Sequence, residues 1–135
     1  MTGASGQPVA TVPLRGERDI AVARIAVSRA LDGLGAGTLA KVRFVTAVSE
    51  IVRNAVMHGG GGEIAIFAEN RPRTIRVRCT DQGPGISDVE RALQDGFSTA
   101  RSMGKGLGGA RRLVDRFDLR STPGQGTTVE MTTKL

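Results

Sequence analysis

The 135-residue sequence predicts an α+β domain, a two-layer sandwich in which helices cover one face of a mixed, largely antiparallel sheet. Two segments of alternating apolar and polar residues follow each other directly, which predicts an antiparallel hairpin. Two helical patterns precede this hairpin, and two helices and two more strands follow it. Strands that occur in succession, rather than alternating with helices, favour such a sandwich over a parallel α/β sheet.

The first half of the chain contains one strand and two helices. After a flexible N-terminus at residues 1–7, an edge strand is predicted at 9–14. Apolar residues then recur every three or four positions over 17–33, which is typical of an amphipathic helix. A longer helix is predicted over 38–57, ended by the four glycines at 59–62. The apolar stripe of this longer helix consists of Leu39, Val42, Val45, Val48, Val52 and Ala55.

The hairpin strands are predicted at 63–69 and 74–80, joined by a turn that contains Pro72. Ser87 is a suitable N-cap for a short helix, because Glu90 completes a capping box. This helix would end near Gly96.

The end of the chain predicts one more helix and a strand pair. The apolar positions Leu107, Ala110, Leu113 or Val114, and Phe117 have helical spacing. A strand at 117–121, a turn at 123–126 and a Thr-rich terminal strand follow. We therefore expect a single domain over residues 8–135, since this length has room for one hydrophobic core.

Composition and charge narrow the classes of function. A formal charge of +6 favours anionic partners such as nucleotides or acidic proteins. Nucleic acid is disfavoured because there is no Trp or Tyr to stack on bases. No segment approaches the length of a membrane span and no secretory leader is evident, so we expect a cytoplasmic protein without a membrane partner. The single cysteine, Cys79, alternates with apolar residues and is expected in the core.

The glycine-rich run GKGLGG at residues 104–109 suggests two familiar motifs, and both fail. A dinucleotide-binding fingerprint needs a preceding strand and an acidic residue about 20 positions later. A Walker loop needs a glycine five residues before Gly104 and a hydroxyl residue after Lys105, where Thr99 and Gly106 stand instead. The run still offers glycine backbone and the N–H groups of a helix start, which suit either a phosphate site or a flexible loop.

Three polar residues of the second helix, Glu50, Asn54 and His58, are spaced by four and share one face. We expect them to lie off the apolar stripe. The carbonyl of Asn54 is suited to hold Mg²⁺, and the carboxylate of Glu50 to polarise a hydroxyl. A solvated helix face is the alternative, and for His58 the favourable helix dipole is sufficient explanation.

The segment DQGPG at residues 81–85 follows a predicted strand. An ionised Asp81 only accepts hydrogen bonds and therefore matches an amino group such as N6 of adenine. Gly83 and Gly85 would let a flat base lie against the backbone. A tight turn that begins at an aspartate is the alternative.

The order of these three sites is more specific than any one of them. A helix with Glu50 and Asn54, then the DQGPG segment, then a glycine box followed by GQGT at 124–127, resembles the GHKL ATPase and kinase superfamily with its Bergerat fold. The resemblance covers roughly residues 17–135. The stretches DGFSTA and GLGGARRLVDRF resemble the RsbT type of bacterial switch kinase. Anti-sigma factor kinases of the RsbW and SpoIIAB type share the three boxes and are the alternative.

The resemblance implies roles for individual residues. Asn54 would be the Mg²⁺ ligand, and Glu50 the general base or orienter of the attacking hydroxyl. Asp81 would accept a hydrogen bond from the adenine amino group, and Thr127 would assist through its hydroxyl or a water. The cofactor-binding glycines would be Gly83 and Gly85 beside the base, and Gly104, Gly106 and Gly108 around the triphosphate.

An ATP lid would span residues 87–105. Lys105 either reaches a phosphate or is solvated, and Leu107 belongs to the same cofactor-binding run or packs the helix. The implied cofactors are therefore ATP and Mg²⁺.

The implied function is phosphorylation of serine or threonine on a STAS-domain protein in a bacterial stress-response pathway that works by partner switching. A sigma factor or a downstream phosphatase would be further partners. The alternatives are an anti-sigma factor that sequesters a sigma factor, and a non-catalytic ATP-binding regulator. The oligomeric state stays open.

Overall fold

The computed structural model describes residues 6–83 and 107–135. The short helix predicted at 87–96 lies outside these ranges, as do residues 1–5 of the predicted flexible N-terminus. The described elements are β1 (Ala10–Leu14), α1 (Arg18–Gly33), α2 (Thr38–Met57), β2 (Gly62–Asn70), β3 (Arg73–Asp81), α3 (Leu107–Arg112), β4 (Arg116–Thr122) and β5 (Gly126–Lys134).

The five described strands form one sheet in the order β1-β2-β3-β5-β4, and each neighbouring pair is antiparallel. The predicted hairpin is confirmed, since Ile64 pairs with Cys79 in β2 and β3. The last strand, β5, inserts between β3 and β4. This order places Asp81 opposite Thr127 at one end of the sheet.

The helices pack on one face of this sheet. Helix α1 contacts β1 and β2, α2 contacts β3, and α3 packs against α2. The two-layer α+β sandwich is therefore confirmed. Burial of each large apolar side chain between the layers contributes about 1.5–3 kcal/mol to folding. The sheet provides Ile64, Ile66, Ile75, Val77, Cys79, Val129 and Met131 to this core.

The opposite face of the sheet carries charged side chains that pair with one another around the ring of Phe67. The guanidinium of Arg76 lies 3.9 Å from the ring centroid of Phe67 and 3.2 Å from a carboxylate oxygen of Glu130. Arg78 approaches the same oxygen at 3.8 Å. The alternation that predicted the hairpin therefore reflects one face packed by helices and one face that combines charged side chains with the buried Ala65 and Phe67 of β2.

The buried face of α2 differs from the predicted stripe. Leu39 and Val42 belonged to that stripe, but they are 73% and 54% exposed. The predicted residues in the first half of the helix are spaced by three. Because a helical turn takes 3.6 residues, residues at this spacing do not stay on one face of the helix, and those farthest from Val48 lie away from the core. The prediction was wrong there and correct near the C-terminus of the helix. The buried residues are Phe44, Ala47, Val48, Ile51, Val52, Asn54 and Ala55.

Helix α3 is shorter than its apolar spacing predicted. It ends at Arg112, and the N–H of Leu113 donates to the carbonyl of Ala110 in a closing turn. Phe117 lies in β4, where it pairs with Met131. The strand predicted at 117–121 is therefore confirmed, whereas the helical spacing that reached Phe117 was wrong there. In the described ranges, no helix is long and apolar enough to cross a membrane.

Cys79 is buried between the sheet and α2, with its sulfur 4.0 Å from the carbonyl oxygen of Ile51. Burial, reinforced by the charge of Asp81, raises the pKa of the Cys79 thiol from 9.0 to about 12. Because this pKa is higher than in the unfolded chain, the thiol's contribution to stability is complete below pH 9 and is lost as the pH rises toward 12.

We expect Cys79 to be unreactive in the folded protein. At pH 8 the raised pKa leaves about a thousandfold fewer thiolates than in a free cysteine, and burial blocks the reagent as well. Alkylation by iodoacetamide, followed by mass spectrometry, should be slow in buffer and fast in guanidinium chloride. Equal rates in the two solvents would contradict the placement of Cys79 in the core.

Candidate functional site

Asp81 ends strand β3 with a carboxylate that is largely removed from water, since the residue is 6% exposed. Its Oδ1 accepts a hydrogen bond of 2.9 Å from the N–H of Gly83. Burial raises the pKa of Asp81, and the backbone N–H groups of Gly83 and Thr127 offset only part of that effect. The ionised carboxylate therefore lacks the hydrogen bonds that water would supply, and a ligand that donates to it would supply them.

Glycines enclose Asp81 at distances that no side chain would permit. A Cβ atom at Gly59 would lie 2.5 Å from Cγ of Asp81, and one at Gly83 would lie 2.5 Å from Cα of Gly59. Gly126 has a φ of 93° and faces the carbonyl oxygen of Asp81. The end of α2, the end of β3 and the start of β5 can therefore meet only because these positions are glycine.

Gly59 is a site residue that the sequence did not reveal. The run of glycines at 59–62 predicted only the end of a helix, whereas its first member packs directly against the aspartate carboxylate. The sequence did contain a usable signal. One glycine is enough to end a helix, so four consecutive glycines at 59–62 indicate a further structural requirement.

Asn54 occupies a different position from the predicted one. It is 8% exposed and lies on the buried face of α2, so the expectation that it lies off the apolar side was wrong. Its Oδ1 is buried and has no hydrogen-bond partner among the described residues. An unsatisfied buried acceptor costs about 1–3 kcal/mol, so this oxygen suits a ligand that is yet to bind.

Glu50 and His58 flank Asn54 on α2 by one turn on either side, and both are partly exposed. The backbone N–H groups of His58 and Gly59 donate to the carbonyl of Asn54 at 2.9 and 3.2 Å. These bonds end the helix and direct the chain toward Asp81. The helix thus presents a solvent-accessible carboxylate next to a buried amide oxygen.

Thr127 is buried beside Asp81 on the neighbouring strand β5. Its Oγ1 lies 2.9 Å from Oγ of Ser121, and the Ser121 hydroxyl donates to the carbonyl of Gly126 at 3.1 Å. The sequence did not single out Ser121. Its pairing with Thr127 follows from the register of β4 on β5, and no local pattern specifies that register.

The predicted glycine box is described only in part. Gly85, Gly104, Lys105 and Gly106 lie outside the described residues, as does the predicted lid at 87–105. The side chain of Leu107 is fully buried in the core at the start of α3, and Gly108 is buried beside it. Leu107 can therefore approach a ligand through its backbone but not through its side chain.

The described residues fit a magnesium–nucleotide complex better than a metal held by protein ligands alone. Within 6–83 and 107–135 there is no group of three or more His, Cys, Asp or Glu side chains that would hold a metal ion. Mg²⁺ commonly retains waters and takes one or two protein oxygens together with substrate phosphates. The unpartnered Oδ1 of Asn54 is an oxygen ligand of this kind.

Comparison with known proteins defines the class to which this fold and site belong. Residues 40–135 match the family described as histidine kinase-, DNA gyrase B- and HSP90-like ATPase. The chain belongs to this family of ATPases, which confirms the resemblance to the GHKL superfamily.

Individual relatives narrow the comparison. The chain is 40% identical to the serine/threonine-protein kinase RsbT of Bacillus subtilis over 116 residues, which cover 84% of this chain and 87% of that protein. It is 35% identical to the anti-sigma F factor of Pasteuria penetrans over 85% of this chain and 82% of that protein. A match of 39% to the anti-sigma F factor of a Thermoanaerobacter species covers 64% of this chain and 65% of that protein, less than two thirds of its length. The predicted similarity to RsbT-type kinases is therefore confirmed.

We expect Gly59→Ala to disturb the site and destabilise the protein. The new methyl group would collide with the Asp81 carboxylate, and overpacking of this kind typically costs about 1–3 kcal/mol. Urea unfolding measures that loss. Gly33→Ala is the matched control, because nothing lies within 4 Å of its added methyl group at the end of α1. Equal stability of the two variants would contradict the described contact.

Proposed function

We propose that this protein is an ATP- and Mg²⁺-dependent serine/threonine kinase that phosphorylates a STAS-domain protein in a bacterial partner-switching pathway. The observation that carries the proposal is the pair on α2, a partly exposed carboxylate at Glu50 one turn from the unpartnered buried oxygen of Asn54. The similarity to RsbT over most of the chain supports this activity.

The base of ATP would bind at the end of the sheet. Asp81 would accept a hydrogen bond from the adenine amino group, which would satisfy its buried carboxylate. Thr127 would add a hydroxyl beside it, and the glycines at 59 and 83 would let the ends of α2 and β3 pack closely around the carboxylate. Gly85 would extend this surface. The cost of burying the carboxylate would then be recovered when the nucleotide binds.

The phosphates would extend toward the C-terminal end of α2 and the start of α3. Asn54 Oδ1 would hold Mg²⁺, which would supply the positive charge that neutralises the phosphates. Backbone N–H groups around the triphosphate would come from Gly104, Lys105, Gly106, Leu107 and Gly108. The side chain of Lys105 would add a positive charge.

Glu50 would act on the substrate hydroxyl. Its carboxylate is accessible to solvent, so the side chain of a protein substrate can reach it, and it lies on the same helix face as Asn54. It would orient the hydroxyl and take up its proton as the oxygen attacks the γ-phosphorus. The bond between the γ-phosphorus and ADP would break as the new bond to the substrate oxygen forms, so that ADP leaves and the enzyme forms no covalent intermediate.

Sequestration of a sigma factor is a second candidate function, favoured by the match to the anti-sigma F factor of Pasteuria penetrans over 85% of the chain. Phosphorylation and sequestration are compatible in one protein. Co-purification from the native cytoplasm separates them: a STAS-domain protein supports the kinase role, and a sigma factor supports sequestration. Recovery of a phosphatase would identify a downstream partner.

We expect Glu50→Gln to abolish phosphoryl transfer and to spare nucleotide binding. The amide retains the shape of the side chain but cannot take up a proton, and loss of a general base costs about 10²–10⁴-fold in rate. Transfer from radiolabelled ATP to a purified STAS partner measures the rate, and titration calorimetry with ADP measures affinity.

Asp81→Asn is the matched variant in these two assays, since it should weaken ADP binding first and lower transfer as a result. The proposed role of Glu50 is wrong if Glu50→Gln transfers phosphate at the wild-type rate. The proposed function is wrong if the wild-type protein binds ATP normally and transfers no phosphate to the STAS partner.

We expect Asn54→Leu to separate stability from function. Leucine has the same branched arrangement of side-chain heavy atoms and removes the unsatisfied acceptor, so the free energy of unfolding without ligand should stay equal or rise by about 1 kcal/mol. Urea unfolding measures this change. The gain in nucleotide affinity that Mg²⁺ gives the wild-type protein should disappear, as measured by calorimetry with ADP in magnesium and in EDTA.

Val52→Ala provides the control for Asn54→Leu. It shortens a buried side chain of the same helix, so it should destabilise the protein and preserve the effect of Mg²⁺ on ADP affinity. If Asn54→Leu retained the full effect of Mg²⁺, Asn54 would not be the metal ligand.

A further inference from the structure

We infer that Ser121 is a positioning residue that makes the hydroxyl of Thr127 a hydrogen-bond acceptor, so that this end of the site selects a base with an exocyclic amino group over one with a keto group. The inference rests on the proposed function, because it concerns nucleotide binding at Asp81.

Three polar side chains form a row across the sheet. Asp81 on β3 pairs with Thr127 on β5, and Thr127 pairs with Ser121 on β4. Directly paired residues carry their side chains on the same face of a sheet with Cβ atoms about 5 Å apart. The hydroxyl of Thr127 therefore lies between the carboxylate of Asp81 and the hydroxyl of Ser121.

The hydrogen bonds of Ser121 determine the direction of the next bond. The carbonyl of Gly126, 3.1 Å from Ser121 Oγ, can only accept, so Ser121 donates its proton there. A serine hydroxyl has one proton, and the 2.9 Å contact with Thr127 Oγ1 must then be a bond in which Thr127 donates. The remaining capacity of the Thr127 hydroxyl is to accept.

This direction leaves two acceptors side by side at the end of the sheet, the carboxylate of Asp81 and the hydroxyl oxygen of Thr127. An adenine amino group has two protons and can satisfy acceptors of this kind. The keto oxygen of hypoxanthine or guanine would face them with lone pairs only, and a site built for a donor rejects a ligand that lacks it.

Loss of Ser121 would release the proton of Thr127. The hydroxyl could then donate to Asp81, which would occupy the carboxylate that adenine needs, or donate to a keto oxygen. Either outcome reduces the preference for an amino group. Ser121 acts in this way through Thr127 and does not need to touch the base.

The test compares ADP with inosine diphosphate, which differs in carrying a keto group where adenine has its amino group. Calorimetry on Ser121→Ala should show ADP affinity reduced about 3- to 10-fold, the range expected for one hydrogen bond, and the ratio of the two affinities reduced about tenfold. Ser121→Thr should restore the wild-type ratio because it restores the hydroxyl. Thr122→Ala, at an exposed neighbouring position on β4, should leave both affinities unchanged.

A merely structural role of Ser121 would give a different result. Both affinities would then fall by the same factor, the urea midpoint would drop and Ser121→Thr would not restore the ratio. Positioning predicts a wild-type urea midpoint and, in the kinase assay, a raised KM for ATP with kcat within about twofold.

The possible failures are distinguishable. If the wild-type protein prefers ADP and Ser121→Ala keeps that preference in full, the inference about Ser121 is wrong and the proposed function stands. If the wild-type protein binds neither nucleotide, both are wrong.

Discussion

The contact between Gly59 and the carboxylate of Asp81 is the constraint on which the site depends. It joins the C-terminal end of α2 to the end of β3 at a distance that excludes any side chain. Because Asn54 lies in the last turns of α2, this contact also determines where its amide oxygen lies relative to Asp81. One packing contact between a glycine backbone and an aspartate side chain thus brings together groups that come from a helix and from a strand.

Two of these groups are unfavourable in the protein by itself. The buried acceptor of Asn54 has no partner in the described part of the chain, and burial raises the pKa of the Asp81 carboxyl. The apolar core between α2 and the sheet, with Phe44 and Val48 fully buried, provides the stability that tolerates them. Binding of a nucleotide and its metal ion would satisfy both groups, and these new interactions would contribute favourably to the free energy of binding.

Local patterns predicted the elements well where a single rule governed the residues. The hairpin of β2 and β3 was predicted because alternate residues of each strand face the core, which gives a period of two. The stripe of α2 was mispredicted at Leu39 and Val42 because that part of the helix has apolar residues on two sides, and only one side meets the sheet. Phe117 fitted both a helical spacing and the predicted strand at 117–121, and it pairs in β4, since sheet pairing outweighs a short helix.

The sequence by itself determined the fold class, the hairpin, the order of the three motifs and the resemblance that names Glu50, Asn54 and Asp81. These depend on residue type and spacing along the chain, which a single sequence contains. The tertiary structure alone decided that Asn54 is buried, that Gly59 packs on Asp81 and that Ser121 meets Thr127. Those facts follow from strand register and from the closeness of backbones that are far apart in the chain, and no local pattern of side chains specifies either.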